Sequence, residues 1–274
     1  MRIGLWAVLV MVAGSCLGMA SPVFAQEKGL LFAHRGGAHE FEENTMAAFR
    51  GTYDKGLRGF ETDVRMTKDG ELVILHDDSL DRTHHATGPV EHKTAAELRD
   101  VTTKKNGERF LFLEDLLKYL ADKPGVYLEL EMKTSNKDLY PDARLDEFCR
   151  KLHAVALASQ PKGSYYVFTS FDQRPLKIIK SIDDNADLLF ITGGPCNAEI
   201  VKQALALGVK RIGCRMEGST RAAVREAQKA GLRVNGWPGH TIQDYHLAVG
   251  LGVDCICSDI PLAVQAYKAK TESP

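Results

Sequence analysis

Four short polar clusters, His34-Arg35, Glu61-x-Asp63, His76-Asp77 and Glu131-x-Lys133, lie on or beside apolar strand-like runs of the chain. Together they offer two imidazoles, several carboxylates, a guanidinium and an ammonium. Such a set can break a phosphate ester with a metal ion if the fold brings the clusters together. Imidazole titrates near neutral pH, so His34 and His76 can take a proton from a nucleophile or give one to a leaving alkoxide. Arg35 offers a two-pronged grip on a phosphoryl group, and Gly36-Gly37 allow a tight turn and close approach of backbone to ligand. Glu61 and Asp63, two apart in FETDVRM, share a strand face. Carboxylates are hard ligands that suit calcium or magnesium better than zinc. In YLELEMK, Glu131 is a third candidate metal ligand and Lys133 a counter-charge for phosphate. Trp237, at the end of RVNGW, can line the alcohol side of a pocket.

Each cluster also has a plainer explanation. His34 and Arg35 could be a capping histidine and a surface arginine. Glu61 and Asp63 could line an exposed strand face, with Phe60, Thr62 and Val64 turned inward. Glu131 and Lys133 would fit an exposed edge strand, and Trp237 a packed core. Asn44 or Thr45 caps a helix in any case, with Glu43 or Asn44 free to orient His34 or a metal ligand. His84 and His85 fall in a polar stretch and read as solvent-exposed loop residues. What favours a common site is placement: the charged groups recur where apolar strand patterns finish.

The elements that position these groups are clearest in the second half. Strand-like runs begin near Asp187, Lys210, Leu232 and Asp254, at intervals of 22 to 23 residues. Between them lie helical segments at Asn197–Leu207, Thr220–Ala230 and Ile242–Val249, followed by Gly208, Gly231 and Gly250 as left-handed closing residues. Strand–helix units at this pitch build parallel sheets. Earlier strands are expected at Leu30–Ala33, Gly59–Val64, Glu71–Leu75, Val126–Met132 and Tyr165–Thr169. Earlier helices are expected at Thr45–Lys55, Leu113–Ala121 and Ala143–Ala158. Nine strands are one too many for an eight-stranded barrel. Glu61 and His76 are too close for a crossover helix, and Asp69-Gly70 signals a turn, so one of the two flanking strands is a hairpin extension. The expected fold is α/β, a (β/α)8 TIM barrel with a small insertion after His76-Asp77, about residues 79–112. A doubly wound open sheet is the alternative, but His34-Arg35-Gly36-Gly37 lacks the glycine spacing of a nucleotide-binding fingerprint.

The chain opens with Met1-Arg2, an apolar stretch from Ile3 to Met19, and a small-residue triplet Val23-Phe24-Ala25. This pattern predicts a signal peptide over 1–25, a barrel domain over 26–274, and a periplasmic or secreted location. An uncleaved anchor and lipid attachment at Cys16 are the alternatives. The 274 residues carry 35 basic and 36 acidic side chains. No basic run interleaved with aromatics points to nucleic acid, and no stable membrane span is expected in the mature chain. Beyond Cys16 the cysteines are Cys149, Cys196, Cys214, Cys255 and Cys257. Cys255 and Cys257 share a strand face and are poorly placed to bridge each other.

At these residues the sequence resembles the glycerophosphodiester phosphodiesterase family. AHRGG at Ala33–Gly37, ENT at Glu43–Thr45, FETDV at Phe60–Val64, ILHDDSLDRT at Ile74–Thr83, LELEMK at Leu128–Lys133 and GVDCICSDIP at Gly252–Pro261 carry the resemblance. It implies a TIM barrel that hydrolyses glycerophosphodiesters to glycerol 3-phosphate and an alcohol with one divalent cation, Ca2+ or Mg2+. It implies His34 and His76 as the acid–base pair; His34 is the favoured base, but the sequence leaves the order of the two roles open. Glu61, Asp63 and Glu131 become metal ligands, and Arg35 and Lys133 phosphate contacts. The chain departs from the family pattern at Glu42, where Pro is usual, at His84, and at His240 in NGWPGH, where Asn is common. Two rival functions remain: a phosphodiesterase for lysophospholipid or sphingolipid head groups, and an exported, non-catalytic binder of phosphorylated ligands.

Overall fold

A computed structural model describes residues 29–271. The predicted signal peptide and Cys16 lie outside the described residues. Nine strands form one sheet: β1 (Leu30–Ala33), β2 (Gly59–Met66), β3 (Leu72–Ile74), β4 (Tyr127–Met132), β5 (Tyr165–Ser170), β6 (Leu188–Pro195), β7 (Arg211–Arg215), β8 (Arg233–Trp237) and β9 (Cys255–Ser258). Eight of them run parallel in the order β1-β9-β8-β7-β6-β5-β4-β2, and a β1–β2 pairing closes the ring. Closure establishes the eight-stranded barrel and excludes the open sheet. The surplus strand is β3, which pairs antiparallel with β2 as a hairpin, Val64 opposite Ile74.

The helices are α1 (Met46–Asp54), α2 (Ala95–Leu98), α3 (Leu113–Leu120), α4 (Asp142–Ser159), α5 (Gln173–Ile182), α6 (Ala198–Leu207), α7 (Arg221–Lys229), α8 (Ile242–Leu251) and α9 (Pro261–Thr271). Gly208 closes α6 in the left-handed region and Gly231 follows α7 in it. The third closing residue is Gly252, not Gly250. Leu251 is buried against the barrel, so the helix continues until that side chain is in place. Sequence periodicity missed α5, whose early Pro175 and scattered charges mask the buried pair Leu176 and Ile179.

Alternation along the strands makes two cores. Phe60 and Val64 of β2 join the layer between strands and helices, Phe60 edge-on to Phe49 with centroids 6.1 Å apart. Leu30, Phe32, Tyr127, Val167, Leu189, Ile191, Cys255 and Cys257 fill the lumen. Because a strand alternates faces, Phe60 and Val64 facing the helices turn Glu61 and Asp63 inward. Lower in the lumen, Glu129 accepts hydrogen bonds from the Tyr127 hydroxyl and Asn235 Nδ2. Burial raises its pKa to about 7. Arg211, fully buried, donates from Nε to Asp187 at 2.7 Å.

Between β3 and α3 the chain makes an excursion with its own apolar cluster of Val73, Leu75, Leu80, Val90, Leu98, Phe110 and Phe112. Buried Glu42 fastens it to the barrel: its carboxylate accepts from Thr103 Oγ1 at 2.7 Å and from the amides of Lys105 and Asn106. His84 is not a solvent-exposed loop residue. It is buried edge-on to Phe110 with centroids 4.8 Å apart, and burial lowers its pKa to about 4. The five described cysteines are buried thiols. Among the described residues, no helix is long and apolar enough to cross a membrane.

Candidate active site

The β2–β4 ladder pairs Asp63 directly with Glu131, and Glu61 with Glu129. Glu61, Asp63 and Glu131 therefore converge, each presenting an oxygen within 4.8 Å of the others'. All three are buried. Glu61 Oε1 and Asp63 Oδ1 have no hydrogen-bond partner. A buried carboxylate oxygen without a donor is costly, and three acids this close repel. Burial, then the charges of Asp63 and Glu131, push the Glu61 pKa well above the usual carboxylate range. Asp63 goes the other way. Burial would raise it, but Lys133, His76 and Arg35, with the Asn44 hydrogen bond, hold it well below its ordinary value. An all-oxygen set with orphaned acceptors fits a hard divalent cation, which would meet both the missing partners and the repulsion.

The cationic groups surround this triad. A single 3-10 turn, His34–Gly36, follows β1, with Arg35 itself in the left-handed region at φ 51°. That conformation is uncommon outside glycine and marks local strain. It aims the Arg35 amide at Glu61 Oε2, 2.9 Å away, and places Nε 3.4 Å from Asp63 Oδ2. The next residue, Gly36, has φ 81°, and a Cβ there would lie 2.8 Å from the Ala48 methyl, so only glycine fits. Lys133 Nζ sits 2.8 Å from Glu131 Oε1 and 3.6 Å from Asp63 Oδ1. Thr45 caps α1, which leaves Asn44 to donate from Nδ2 to Asp63 Oδ2 at 2.7 Å.

Both histidines are held through Nδ1. His34 Nδ1 lies 2.6 Å from Asp259 Oδ1, just beyond β9, and its Nε2 lies 3.9 Å from Glu61 Oε2. His76 Nδ1 lies 2.8 Å from Asp77 Oδ1. Buried Arg65 secures that turn, donating to the His76 carbonyl at 3.0 Å and to Glu91 at 3.0 Å. Burial lowers the His76 pKa below its ordinary value. Asp77 is bonded in turn to Arg82 Nε at 2.6 Å, and Arg82 makes a forked pair with Glu43 at 2.7 and 2.8 Å. Glu43 also accepts from Arg35 Nη1 at 3.2 Å. A continuous charged chain thus runs from His76 through Asp77, Arg82 and Glu43 to Arg35.

His34, Arg35, Glu61, His76, Glu131 and Trp237 line one cavity of about 300 Å³ at the C-terminal end of the strands. Lys133 lines the adjoining recess with His76 and Glu131. Asp63 lies behind this wall, fully buried. Trp237 stands edge-on to Phe171 at 5.6 Å, opposite the acidic cluster, with Arg215 over its ring. The eight residues singled out by type and spacing are therefore brought together. Two contributors were missed. Asp259 sits in the strand-end run CSDIP, where an acid after an apolar run was the available signal. Arg82 lies in the excursion, and nothing in its local sequence connects it to Glu43.

A closed parallel barrel whose acids, imidazoles and cations gather at the strand C-termini is the architecture of a barrel enzyme. Comparison with known proteins narrows the class. The sequence profile of the glycerophosphoryl diester phosphodiesterase family matches residues 34–263. The chain belongs to this family and is a hydrolase of its type. It is 29% identical over 244 residues to a glycerophosphodiester phosphodiesterase of Caldanaerobacter subterraneus subsp. tengcongensis, covering 85% of this chain and 95% of the relative. The glycerophosphodiester phosphodiesterase structure from Agrobacterium tumefaciens superposes with a TM-score of 0.69 at 26% identity, covering 88% of this chain and 99% of that one. An Oleispira antarctica phosphodiesterase, solved in complex with the product sn-glycerol-3-phosphate, has the same fold. Its TM-score is 0.80 at 21% identity, with 89% and 97% of the two chains covered.

Proposed function

We propose that the protein hydrolyses glycerophosphodiesters to glycerol 3-phosphate and an alcohol, with one divalent cation and two histidines. The observation that carries this reading is the shared cavity: two carboxylate-held imidazoles, Arg35 and an under-partnered carboxylate triad all border it. Family membership and the product-bound Oleispira antarctica structure support the same chemistry.

Glu61, Asp63 and Glu131 would hold the cation, Ca2+ or Mg2+. When bound, it supplies positive charge that offsets the charge on the phosphoryl oxygens. Arg35 and Lys133 add fixed positive charge on either side of the triad. With Nδ1 of each ring on a carboxylate, proton exchange falls to Nε2. One ring takes the proton from the neighbouring hydroxyl of the glycerol moiety as its oxygen attacks phosphorus. The other gives a proton to the departing alcohol. Water then opens the cyclic phosphate with the roles reversed. Asp259 and Asp77 stabilise whichever ring carries charge and hold it in place. Trp237 and Phe171 form the wall against which the alcohol rests. The leader-like pattern of the first 25 residues supports a periplasmic or secreted location for this chemistry.

The deciding experiment is product release from a panel of glycerophosphodiesters, with and without chelator. Chelation is expected to abolish release of glycerol 3-phosphate, and calcium or magnesium to restore it. A full rate after chelation would remove the triad from the mechanism. The aromatic pair, with Phe171 39% exposed, favours a second reading in which lysophospholipid head groups are cleaved. Faster turnover of long-chain substrates than of glycerophosphocholine would select it.

A further inference from the structure

His39 and His240 are not needed by the chemistry above, yet their rings stack 5.2 Å apart at the rim of the site. His240 Nδ1 contacts Asp259 Oδ2, and His39 Nε2 lies 3.9 Å from the same oxygen. One atom from each of the three residues lies within 4.8 Å of the other two. The frame that holds them is cross-linked: the His39 amide donates to the Asp259 carbonyl at 3.0 Å, and the Asp259 amide to the Gly239 carbonyl at 2.8 Å. The His240 amide donates to Asp244 at 3.0 Å. Next to His39, the Glu40 carboxylate accepts from the Leu262 and Ala263 amides in the first turn of α9. The histidine side chains are 53% and 48% exposed while Asp259 is buried at 3%, so an ion can enter from solvent against a fixed carboxylate.

We propose that His39, His240 and Asp259 form a second cation site, for zinc or another late first-row divalent ion, coupled to His34 through their shared carboxylate. Two imidazoles and one carboxylate suit zinc, with a fourth position left for water. Calcium and magnesium prefer the all-oxygen triad. Zinc–ligand bonds of about 2.0–2.2 Å need the His240–Asp259 contact to open around the ion and the exposed His39 ring to draw in slightly from 3.9 Å. Asp259 divides its oxygens, Oδ1 to His34 and Oδ2 to the histidine pair. An ion on Oδ2 withdraws charge from the carboxylate that positions His34, and occupation therefore slows turnover. This coupling rests on the hydrolytic reading above, but the binding site does not.

The test is a zinc titration of the full chain against a chromogenic chelator in excess magnesium, with His39→Ala and His240→Asn variants alongside. Each substitution is expected to weaken zinc binding by about tenfold or more. In the wild type, micromolar zinc should slow hydrolysis. His39→Ala should match the wild-type rate without zinc and resist zinc inhibition. Equal zinc affinity in the wild type and both variants overturns the site. Zinc binding lost in the variants, but without any effect on wild-type turnover, overturns the coupling through Asp259. The titration reads binding directly, so a chain that fails to hydrolyse glycerophosphodiesters still tests the site.

Discussion

The two halves of the barrel do different work. From β1 to β4 the chain is irregular: it makes a strained turn at Arg35, a hairpin at β3 and a long excursion before α3. This half holds Glu61, Asp63, Glu131, Lys133 and both histidines of the proposed mechanism. From β5 to β9 the chain repeats strand and helix with short connections. That half supplies mostly walls, Leu189, Ile191, Gly213 and Trp237, with Arg215 at the cavity and Asp259 behind His34 as its charged contributions. Chemistry and shape are thus largely separated along the chain. A regular repeat packs well but places each residue where its neighbours' geometry dictates. Charges that must meet within a few ångströms need the extra turns of the first half.

This division can be broken most sharply at the histidines. His34→Ala and His76→Ala should each lower kcat by roughly 10²–10⁴-fold, with circular dichroism unchanged. Full activity in both variants would sink the two-histidine scheme. A 4-nitrophenyl leaving group needs no acid and should restore the variant that lacks the acid, separating the two roles.

The excursion of the first half is expected to carry an acid sensitivity that the regular half lacks. His84 is neutral in the fold, with a pKa near 4 against 6.5 for the ordinary imidazole. Between these values the unfolded chain binds a proton that the native chain does not, so stability falls as pH drops through this window and levels off below it. From pH 7 to 5 the loss should be about 2 kcal/mol. Urea denaturation of wild type and His84→Phe at the two pH values measures it, and equal pH dependence in both would remove His84 as the cause.

Arg82→Gln tests whether the charged chain from His76 to Arg35 positions the imidazole. It should lower kcat by about tenfold, equivalent to about 1.4 kcal/mol, with little change in KM. A pure KM effect would make Arg82 a substrate contact instead. The smallest effect is expected in the second half. Trp237→Ala should raise KM for bulky alcohols by roughly tenfold or less while sparing the smallest glycerophosphodiesters. A loss of kcat for every substrate would erase the distinction between the halves.

Much of this molecule is legible without coordinates, because short-range physics writes it into the chain. The period of 22 to 23 residues follows from one strand and one helix spanning the barrel, and it announces the parallel units. Charged residues at the ends of apolar runs announce the mouth, since a buried charge persists only where partners or a cation offset it. The surplus strand is evident from the short distance between Glu61 and His76, although its identity as β3 required the ring to close. Other features depend on contacts between residues far apart in sequence. The pairing of Asp63 with Glu131 is set by ladder register, and the carboxylate behind His34 comes from Asp259, 225 positions away. His84 looks like a loop residue until the excursion folds over it, and α5 gains its hydrophobic face only when packed against α4, β5 and β6. The clustering of His39 and His240 at one carboxylate belongs to the same class. Local pattern determines which elements form and which ends carry charge, while only the closed barrel decides which of those charges share an oxygen.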